Sequence, residues 1–329
     1  MASPQRLLDP DTIALRAGRE ANFLHLPEPA TLFGERAMRL RQLATDHAMG
    51  DYLRFAAEVC LAQHDEARQG PAPAVPSAEP FEQAATQGVP PLPASGWLAD
   101  GAWRNTLRSL LQRLSTRLEA GPAQATVRQL SAAPDPELDA LARALLHEHL
   151  PPDALAAAPF VAAALQVHGA RLVAAAAKVH AALPAGAFGR IDDARVCPCC
   201  GSRPTAGVQR LGTEASGQRY LHCSMCAAQW HLVRITCAHC GNHEGLTYEQ
   251  LQAVGSDAAP RNAIVRAECC PRCHNYLKQV AQDHDPNAEA VADDLASVAL
   301  DVLLGEAGWQ RLGVNAFLLF GDADEAPPP

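Results

Sequence analysis

Four Cys-x-x-Cys pairs lie in one stretch of this chain, from Cys197 to Cys273, and they constrain its fold more than any other feature. The stretch holds all but one of the eleven cysteines. A Cys-x-x-Cys turn directs two sulfurs at one point, and two such turns make a tetrahedral cage suited to zinc or mononuclear iron. The pattern therefore predicts two metal sites with eight ligands: Cys197, Cys200, Cys223, Cys226, Cys237, Cys240, Cys270 and Cys273.

The first of these pairs has the local sequence of a rubredoxin or zinc-ribbon knuckle. Pro198 fixes the backbone after the first cysteine, and Gly201, directly after the second, can adopt the left-handed conformation. The third pair is also followed by a glycine, Gly241. One such pair would be weak evidence for a metal site, but four within one short region are strong evidence.

The pairing of the four motifs is less constrained, because four pairs can combine in three ways. The sequential combination joins the first pair with the second and the third with the fourth. It is favoured because each gap carries strand-like segments around turn residues, as a ribbon hairpin requires. These segments are 208–211 and 219–221 around the turn 212–217, and 246–251 and 263–267 around the turn 255–257. An interleaved combination remains the alternative.

Other uses of the cysteines fit less well. A disulfide framework is typical of short secreted chains with an even cysteine count, and a redox Cys-x-x-Cys motif needs a βαβ context that the sequence lacks. Cys199 and Cys269 are interpreted as neighbours of the sites, although metal-adjacent thiols can be reactive. Five nearby histidines could replace a cysteine but are favoured for positions around the sites: His222, His231, His239, His243 and His274.

The charge pattern argues against a general binder of nucleic acid or of anionic membranes, because the formal net charge is −9. Most of the excess lies in residues 286–329, which hold eight acids and one base. We expect no segment long and apolar enough to span a bilayer, and the N-terminus lacks a signal-peptide core. These observations predict a cytoplasmic protein with reduced thiols.

Residues 1–190 have the periodicity of an all-helical domain with six or seven helices, including a short one within 7–20. Cys60 falls on an apolar helix face and is predicted to be a small core residue. The proline-rich stretch 70–96 is predicted to be an extended, non-helical connection. The region has no Gly-rich phosphate loop, nucleophile elbow or His-Glu-x-x-His motif, so we expect no catalytic residues.

After the cysteine region, Asn287 is predicted to cap a helix that continues to about Gly305. Three acids near this helix are expected to be mostly solvated: Asp293, Asp294 and Asp301. A short strand is predicted over 316–320, and the acidic, proline-rich residues 321–329 are predicted to be disordered.

Taken together, these patterns predict a multidomain α+β protein. An all-helical domain (1–190) precedes two rubredoxin-like or zinc-ribbon modules (191–233 and 234–285). A C-terminal helix, strand and acidic tail complete the chain (286–329).

Several of these motifs, taken together, resemble the FdhE family of formate dehydrogenase accessory proteins. The resemblance covers most of the chain, although the proline-rich insert at 70–96 is not a recognised family feature. The matching segments are Leu26-Pro27-Glu28-Pro29, Leu32-Phe33, Arg36-Ala37, Arg39-Leu40, Tyr52-Leu53-Arg54-Phe55, Cys197-Pro198-Cys199-Cys200-Gly201-Ser202, Leu221-His222-Cys223-Ser224-Met225-Cys226, Trp230-His231, Val233-Arg234, 237–241, 270–273, Tyr276-Leu277-Lys278 and Asp294-Leu295-Ala296.

The resemblance implies a non-catalytic role in making respiratory formate dehydrogenase active. Members of this family act in the cytoplasm on the catalytic subunit, before its export by the twin-arginine route. Their cysteine regions are rubredoxin-like and are associated with iron. Zinc fits the same four sulfurs, so the sequence leaves two iron or two zinc ions as the expected cofactors.

On this interpretation the ribbons and the helical domain present a recognition surface to the client, with no nucleic acid or membrane partner. Trp230 and His231 are candidates for that surface. The alternative is that Trp230 is an aromatic residue of the ribbon core and that His231 simply faces solvent. Five arginines are expected to offset the charge of the thiolate sites: Arg195, Arg203, Arg219, Arg234 and Arg272. The alternative functions are a rubredoxin-like electron carrier or oxidoreductase and, disfavoured by charge, a nucleic-acid-binding ribbon protein.

Overall fold

The structure, a computed structural model, describes residues 22–184, 186–210, 218–252 and 263–318. A helical region precedes a sheet region, which confirms the predicted α+β class. Four predicted features lie outside the described residues: the helix within 7–20, the turns at 212–217 and 255–257, and the tail 321–329. The predicted domain boundaries stay a prediction.

Seven α-helices occupy the described part of the first 184 residues, within the predicted number. They are α1 (Leu32–Leu43), α2 (Gly50–Gln69), α3 (Ala78–Gln87), α4 (Ala102–Arg117), α5 (Pro122–Ala132), α6 (Asp135–Leu146) and α7 (Ala158–Val179). Two 3₁₀ turns, Ala94–Leu98 and Pro152–Ala154, lie between them. The helices associate through apolar stripes at helical spacing, as on α4, where Trp103, Leu107 and Leu110 are buried. Cys60 is fully buried on α2, as predicted.

The proline-rich stretch 70–96 is not wholly extended, and the prediction of a non-helical connection is wrong for its middle. Helix α3 begins at Ala78, which places Pro80 in its first turn. A proline there breaks no helical hydrogen bond, because first-turn N–H groups have no partner within the helix. The helix ends at Gly88, whose φ of 64° is the left-handed conformation that closes many helices.

Helix α7 is the central helix of this region. By length and composition alone it could span a bilayer, contrary to our expectation that no segment could. However, 78% of its apolar 18-residue window is buried inside the protein. Its apolar surface is therefore already covered by the other helices, which is the environment of a core helix.

Gly169, in the middle of α7, provides a test of this packing. A Cβ at this position would lie 2.2 Å from Cη2 of Trp97. The Gly169→Ala variant is therefore expected to lose about 1–3 kcal/mol of unfolding free energy through overpacking. This is opposite in sign to the gain of up to about 1 kcal/mol that helix propensity alone predicts.

The measurement is urea unfolding followed by circular dichroism, and the matched control is Gly305→Ala. Gly305 is also helical, but no atom from another element of the described structure lies within 4 Å of the position that a Cβ would take. The control is expected to keep or gain stability. An equal gain in both variants would show that Trp97 does not occupy this space.

The C-terminal helix is interrupted. Two short helices replace the single one predicted from Asn287, namely α8 (Ala290–Ala296) and α9 (Val298–Glu306). The N-terminal cap is Glu289, whose carboxylate accepts hydrogen bonds from the N–H groups of Val291 and Ala292. The predicted strand at 316–320 is also wrong where it is described, because residues 316 and 317 form a turn and residue 318 is not in a strand.

The described strands form one eight-stranded sheet. They are β1 (Leu24–His25), β2 (Pro204–Gln209), β3 (Arg219–Cys223), β4 (Gln229–His231), β5 (Thr247–Glu249), β6 (Val265–Cys269), β7 (Asn275–Ala281) and β8 (Gln310–Arg311). The order is β1-β4-β3-β2-β7-β6-β5, with β8 also paired to β7. The predicted strand segments in both gaps contribute to β2, β3, β5 and β6.

The two ribbons repeat one pattern and join edge to edge. In each, a cysteine pair precedes an antiparallel hairpin, and a second pair precedes a third strand (β2-β3-β4 and β5-β6-β7). Parallel pairing of β2 with β7 merges the ribbons. The N-terminal region is not purely helical, since β1 adds to the sheet at β4 with Leu24 opposite Trp230.

Asp293, Asp294 and Asp301 are buried, so the expectation that they are mostly solvated is wrong. Asp293 receives two hydrogen bonds from the guanidinium of Arg39 on α1, at 2.9 and 2.7 Å. Arg36 donates one hydrogen bond to Glu289, at 3.0 Å. These ion pairs join α1 to α8 and hold the helical region against the C-terminal segment.

Asp294 and Asp301 belong to a second buried cluster. The ammonium of Lys278 lies 3.2 Å from Asp294 and 2.5 Å from Asp301, and Arg311 lies 2.6 and 2.5 Å from the same two carboxylates. Burial raises the pKa of Asp294, but Arg311 and Lys278 outweigh it and hold that pKa below its ordinary value. Two cations and two anions thus balance inside the protein.

Candidate metal centres

The structure brings the eight cysteines together as the sequential combination predicts. The first tetrad consists of Cys197, Cys200, Cys223 and Cys226, and the second of Cys237, Cys240, Cys270 and Cys273. Within each tetrad all four sulfurs lie within 4.8 Å of one another. The interleaved combination does not occur, and among the described residues no histidine belongs to either tetrad.

The spacing of the sulfurs fits tetrahedral coordination. In the first tetrad the Sγ atoms of Cys200 and Cys223 are 3.4 Å apart, and those of Cys197 and Cys226 are 3.5 Å apart. In the second tetrad the Sγ atoms of Cys237 and Cys273 are 3.7 Å apart, as are those of Cys240 and Cys270. A tetrahedron with metal–sulfur bonds of about 2.3 Å has edges of roughly 3.8 Å. Each tetrad could therefore hold one metal ion.

All four cysteine pairs adopt the same backbone turn. The residue after the second cysteine has a positive φ in every case: 74° at Gly201, 60° at Ala227, 72° at Gly241 and 56° at His274. The prediction of a left-handed glycine is confirmed at Gly201 and Gly241. Ala227 and His274 adopt this conformation without the glycine that usually relieves its strain, because the knuckle requires it.

One backbone hydrogen bond is common to the four turns. The N–H of the first cysteine donates to the carbonyl five residues on, for example from Cys197 to Ser202 and from Cys270 to Asn275, at 2.9 and 3.0 Å. Backbone N–H groups also donate to sulfur, as from Cys226 to Cys223 Sγ at 3.4 Å. Such donors stabilise the thiolate, which is the form that binds metals.

The pKa values of the cysteines reflect burial and hydrogen bonding within each tetrad. Burial raises the pKa of Cys223 and Cys226 well above the ordinary value. Burial also acts to raise that of Cys197, but hydrogen bonds from neighbouring thiols outweigh it and hold the pKa well below the usual range. In the second tetrad burial raises the pKa of Cys237 to about 12. Four thiolates in one small cage repel one another, so the fully deprotonated set needs a positive ion at its centre.

The two additional cysteines occupy different environments. Cys199 is fully buried beside the first tetrad, where its thiol interacts with Cys197 and Cys226. Cys269 is buried in a separate apolar cluster with Tyr276 and Leu300. Neither belongs to a tetrad, in agreement with their interpretation as neighbours.

The five histidines near the tetrads differ in their exposure to solvent. His222 is buried on β3 beside Gln229, while His231 is partly buried against the ring of Tyr220. The other three are exposed: His239, His243 and His274. Within the described residues each tetrad therefore consists of cysteines alone.

Trp230 is a core residue and not part of a surface. Its ring is buried, with 1% of the residue exposed, and its indole N–H donates to the carbonyl of Ala194 at 2.8 Å. The structure thus favours the ribbon-core interpretation. The sequence left the surface and core interpretations open, because a strand of three residues is too short for its hydrophobic pattern to show which face is buried.

Three of the five arginines expected to offset the thiolate charge are paired elsewhere. Arg195 binds Asp193, Arg203 binds Glu148 and Arg219 binds Glu268. Arg195 also donates to the carbonyl of His239 at 2.9 Å, inside the third cysteine turn. Proximity in sequence did not predict Glu148 and Glu268, because they come from distant segments, whereas Asp193 is only two residues from Arg195.

Comparison with protein-family models places this arrangement among known proteins. Residues 21–183 match the model described as FdhE, N-terminal. Residues 196–234 match FdhE, central domain, and residues 235–318 match FdhE, C-terminal domain. The three models together span both tetrads and the helical region.

Curated relatives and a solved structure agree with these matches. A protein FdhE homolog of Pseudomonas aeruginosa is 39% identical over 298 residues, covering 90% of this chain and 93% of the relative. Protein FdhE of Salmonella arizonae is 35% identical over 323 residues, covering 97% and 99%. The crystal structure of the FdhE protein from Pseudomonas aeruginosa superposes with a TM-score of 0.77 at 38% identity, covering 90% of this chain and 98% of that one.

Proposed function

This chain belongs to the FdhE family, and we propose that it is a non-catalytic accessory protein required for active formate dehydrogenase. The observation that carries the proposal is the pair of tetracysteine cages in a chain that matches the family from residue 21 to residue 318. In this role it binds the catalytic subunit of the dehydrogenase in the cytoplasm, before that subunit is exported.

Each tetrad holds one iron or zinc ion in the proposed function. The eight ligands are those predicted from the sequence, and the sulfur spacing fits either metal. A bound ion supplies a cross-link within each ribbon and, where it is iron, a one-electron redox centre. The chain's own residues fix the cysteine turns, bury the first tetrad and join the ribbons to the helices.

A gene deletion tests the proposal. A strain that lacks this gene is expected to lose respiratory formate dehydrogenase activity, while the catalytic subunit is still synthesised. Wild-type protein supplied in trans restores the activity, and affinity-tagged protein co-purifies with the catalytic subunit from the cytoplasmic fraction. Full activity in the deletion strain would reject the accessory role, and activity without co-purification would reject direct binding.

The second candidate function is a rubredoxin-like electron carrier. It is favoured by the second tetrad, where Cys240 and Cys273 are partly exposed and an iron centre would face solvent. Protein purified without oxygen would then show iron–thiolate absorption in the visible range and reversible reduction. A colourless protein loaded with zinc would reject the carrier but leave the accessory role intact.

A further inference from the structure

The two tetrads differ sharply in their burial. In the first tetrad Cys197 and Cys226 have no exposed surface, and Cys200 is 2% exposed. All of its sulfurs lie in the main hydrophobic cluster of the protein. In the second tetrad Cys240 and Cys273 are partly exposed.

The first tetrad is also held from outside its ribbon by the helical region. The N–H groups of Leu92 and Ala94 donate to the carbonyls of Cys199 and Cys200, at 3.1 and 3.0 Å. The side chain of Gln166 on α7 donates to the carbonyl of Ser224 at 2.8 Å. These three bonds hold both cysteine turns, so neither can open without separating from the helices.

A groove of about 470 Å³ runs past this tetrad but does not reach its sulfurs. It is lined by Cys200, Gly201 and Ser202 together with Pro90 and Met225. Because Cys200 is only 2% exposed, an incoming ligand in this groove meets the turn and not the cage.

The second tetrad lies at the surface of its ribbon. The residues around its two turns are exposed, including His239, Gly241, Pro271 and Arg272. Two bonds from other segments reach these turns, from Arg195 to the carbonyl of His239 and from Gln310 to that of His274. The side chain of Arg195 is itself half exposed, so this bond does not shield the sulfurs.

We propose that the second tetrad is an exchangeable metal site that passes its ion to an external chelating ligand, whereas the first tetrad retains its ion. The proposal rests on the proposed function in one respect, that each tetrad holds an ion. Exchange requires a donor atom of the entering chelator to bond the metal while a cysteine sulfur leaves. The leaving sulfur remains a thiolate or takes a proton from water, and the metal keeps its oxidation state. Cys240 and Cys273 offer the space and freedom that this step needs, and the first tetrad does not.

Metal release to a chromogenic chelator tests the proposal. Protein reconstituted with zinc, and shown by native mass spectrometry to hold two ions, is mixed with excess 4-(2-pyridylazo)resorcinol. Two phases of equal amplitude are expected. The slow phase should be roughly 100-fold slower, because three hydrogen bonds of about 1 kcal/mol each must break before the buried cage opens. The partly exposed Cys240 and Cys273 can be approached without breaking the two bonds to their turns. In Cys273→Ser the fast phase should disappear while the slow phase remains.

Release of both ions at one rate would overturn the proposal, as would loss of the slow phase in Cys273→Ser. A count below two ions in the starting protein would instead overturn the assignment of ions to the tetrads, and the proposal with it. The count and the kinetics therefore separate failure of the proposed function from failure of the exchange model.

A second variant tests why the first tetrad is slow. Ala94→Pro removes the N–H that donates to Cys200, at the first position of a 3₁₀ turn where proline is well tolerated. The preceding Pro93 already has ψ near 133°, which suits a following proline. The slow phase is expected to accelerate about fivefold to tenfold, and the fast phase serves as the internal control. An unchanged slow phase would show that this contact does not retain the ion.

Discussion

The Cys200→Ser variant is expected to lose the ion of the first tetrad and most of the cooperative stability of the whole chain. The first tetrad lies in the same hydrophobic cluster as residues of α2, α4 and α7. In small zinc domains metal binding supplies roughly 10–16 kcal/mol of apparent free energy, which is as large as the entire stability of a typical domain, about 5–15 kcal/mol. Loss of this ion should therefore disturb both the ribbon and the helical region.

Cys240→Ser is the matched control. Cys240 holds the same place in its turn, since Gly241 and Gly201 have nearly equal φ values of 72° and 74°. The second tetrad is partly exposed, so Cys240→Ser should remove one ion from the protein. The helical region should still unfold in one cooperative transition.

The measurements are the ion count by native mass spectrometry and urea unfolding followed by circular dichroism. Cys200→Ser should show a much lower midpoint or no cooperative transition. Equal midpoints for the two variants would contradict the argument, because burial would then have no bearing on which ion stabilises the fold.

The contrast between the tetrads shows what the sequence could predict. The eight cysteines and their sequential pairing followed from spacing and turn residues, because a Cys-x-x-Cys turn is local. Gly201 and Gly241 likewise marked the left-handed position. Burial of one tetrad and exposure of the other did not follow, because they depend on Leu92, Ala94 and Gln166, which are distant in sequence.

The C-terminal segment shows the opposite case, where local pattern misled. Its apolar periodicity predicted one helix with solvated acids, but the helix breaks at Ser297. There the ammonium of Lys278 donates to the carbonyls of Asp294 and Ser297, at 2.7 and 3.3 Å. The sequence around a carboxylate does not show whether a distant cation pairs with it. For Asp294 and Asp301 that cation is Lys278 on β7.

Substitution of Lys278 is expected to have the second large effect on stability, because this lysine is fully buried between two carboxylates. The Lys278→Met variant leaves Asp294 and Asp301 with Arg311 as their remaining cation in this cluster. We expect a loss of about 3–5 kcal/mol of unfolding free energy, the usual result of leaving a buried charge without compensation. Thermal and urea unfolding at neutral pH measure it. Lys178→Met is the matched control, since Lys178 is exposed and should change stability by less than about 0.5 kcal/mol.

The pH dependence of stability separates this electrostatic cause from simple misfit of the methionine. In the wild type the pKa of Asp294 is depressed, so its contribution is complete above the unfolded-state pKa and is lost as pH falls through the folded-state value. In Lys278→Met the ammonium that lowers the pKa of Asp294 is absent while the burial that raises it remains, so this pKa should rise and protonation then favours the folded state. The deficit of the variant should therefore shrink as pH falls from 7 towards 4.

A second substitution should relieve the same deficit at neutral pH. Asp301→Asn in the Lys278→Met background removes one negative charge while keeping the shape of the side chain, so one carboxylate faces one arginine. We expect the double variant to recover part of the lost stability, although Asp301→Asn alone destabilises the wild type by leaving a buried cation in excess. A double variant less stable than Lys278→Met, with a deficit that does not change with pH, would mean that packing and not charge balance holds α8 and α9 against the sheet.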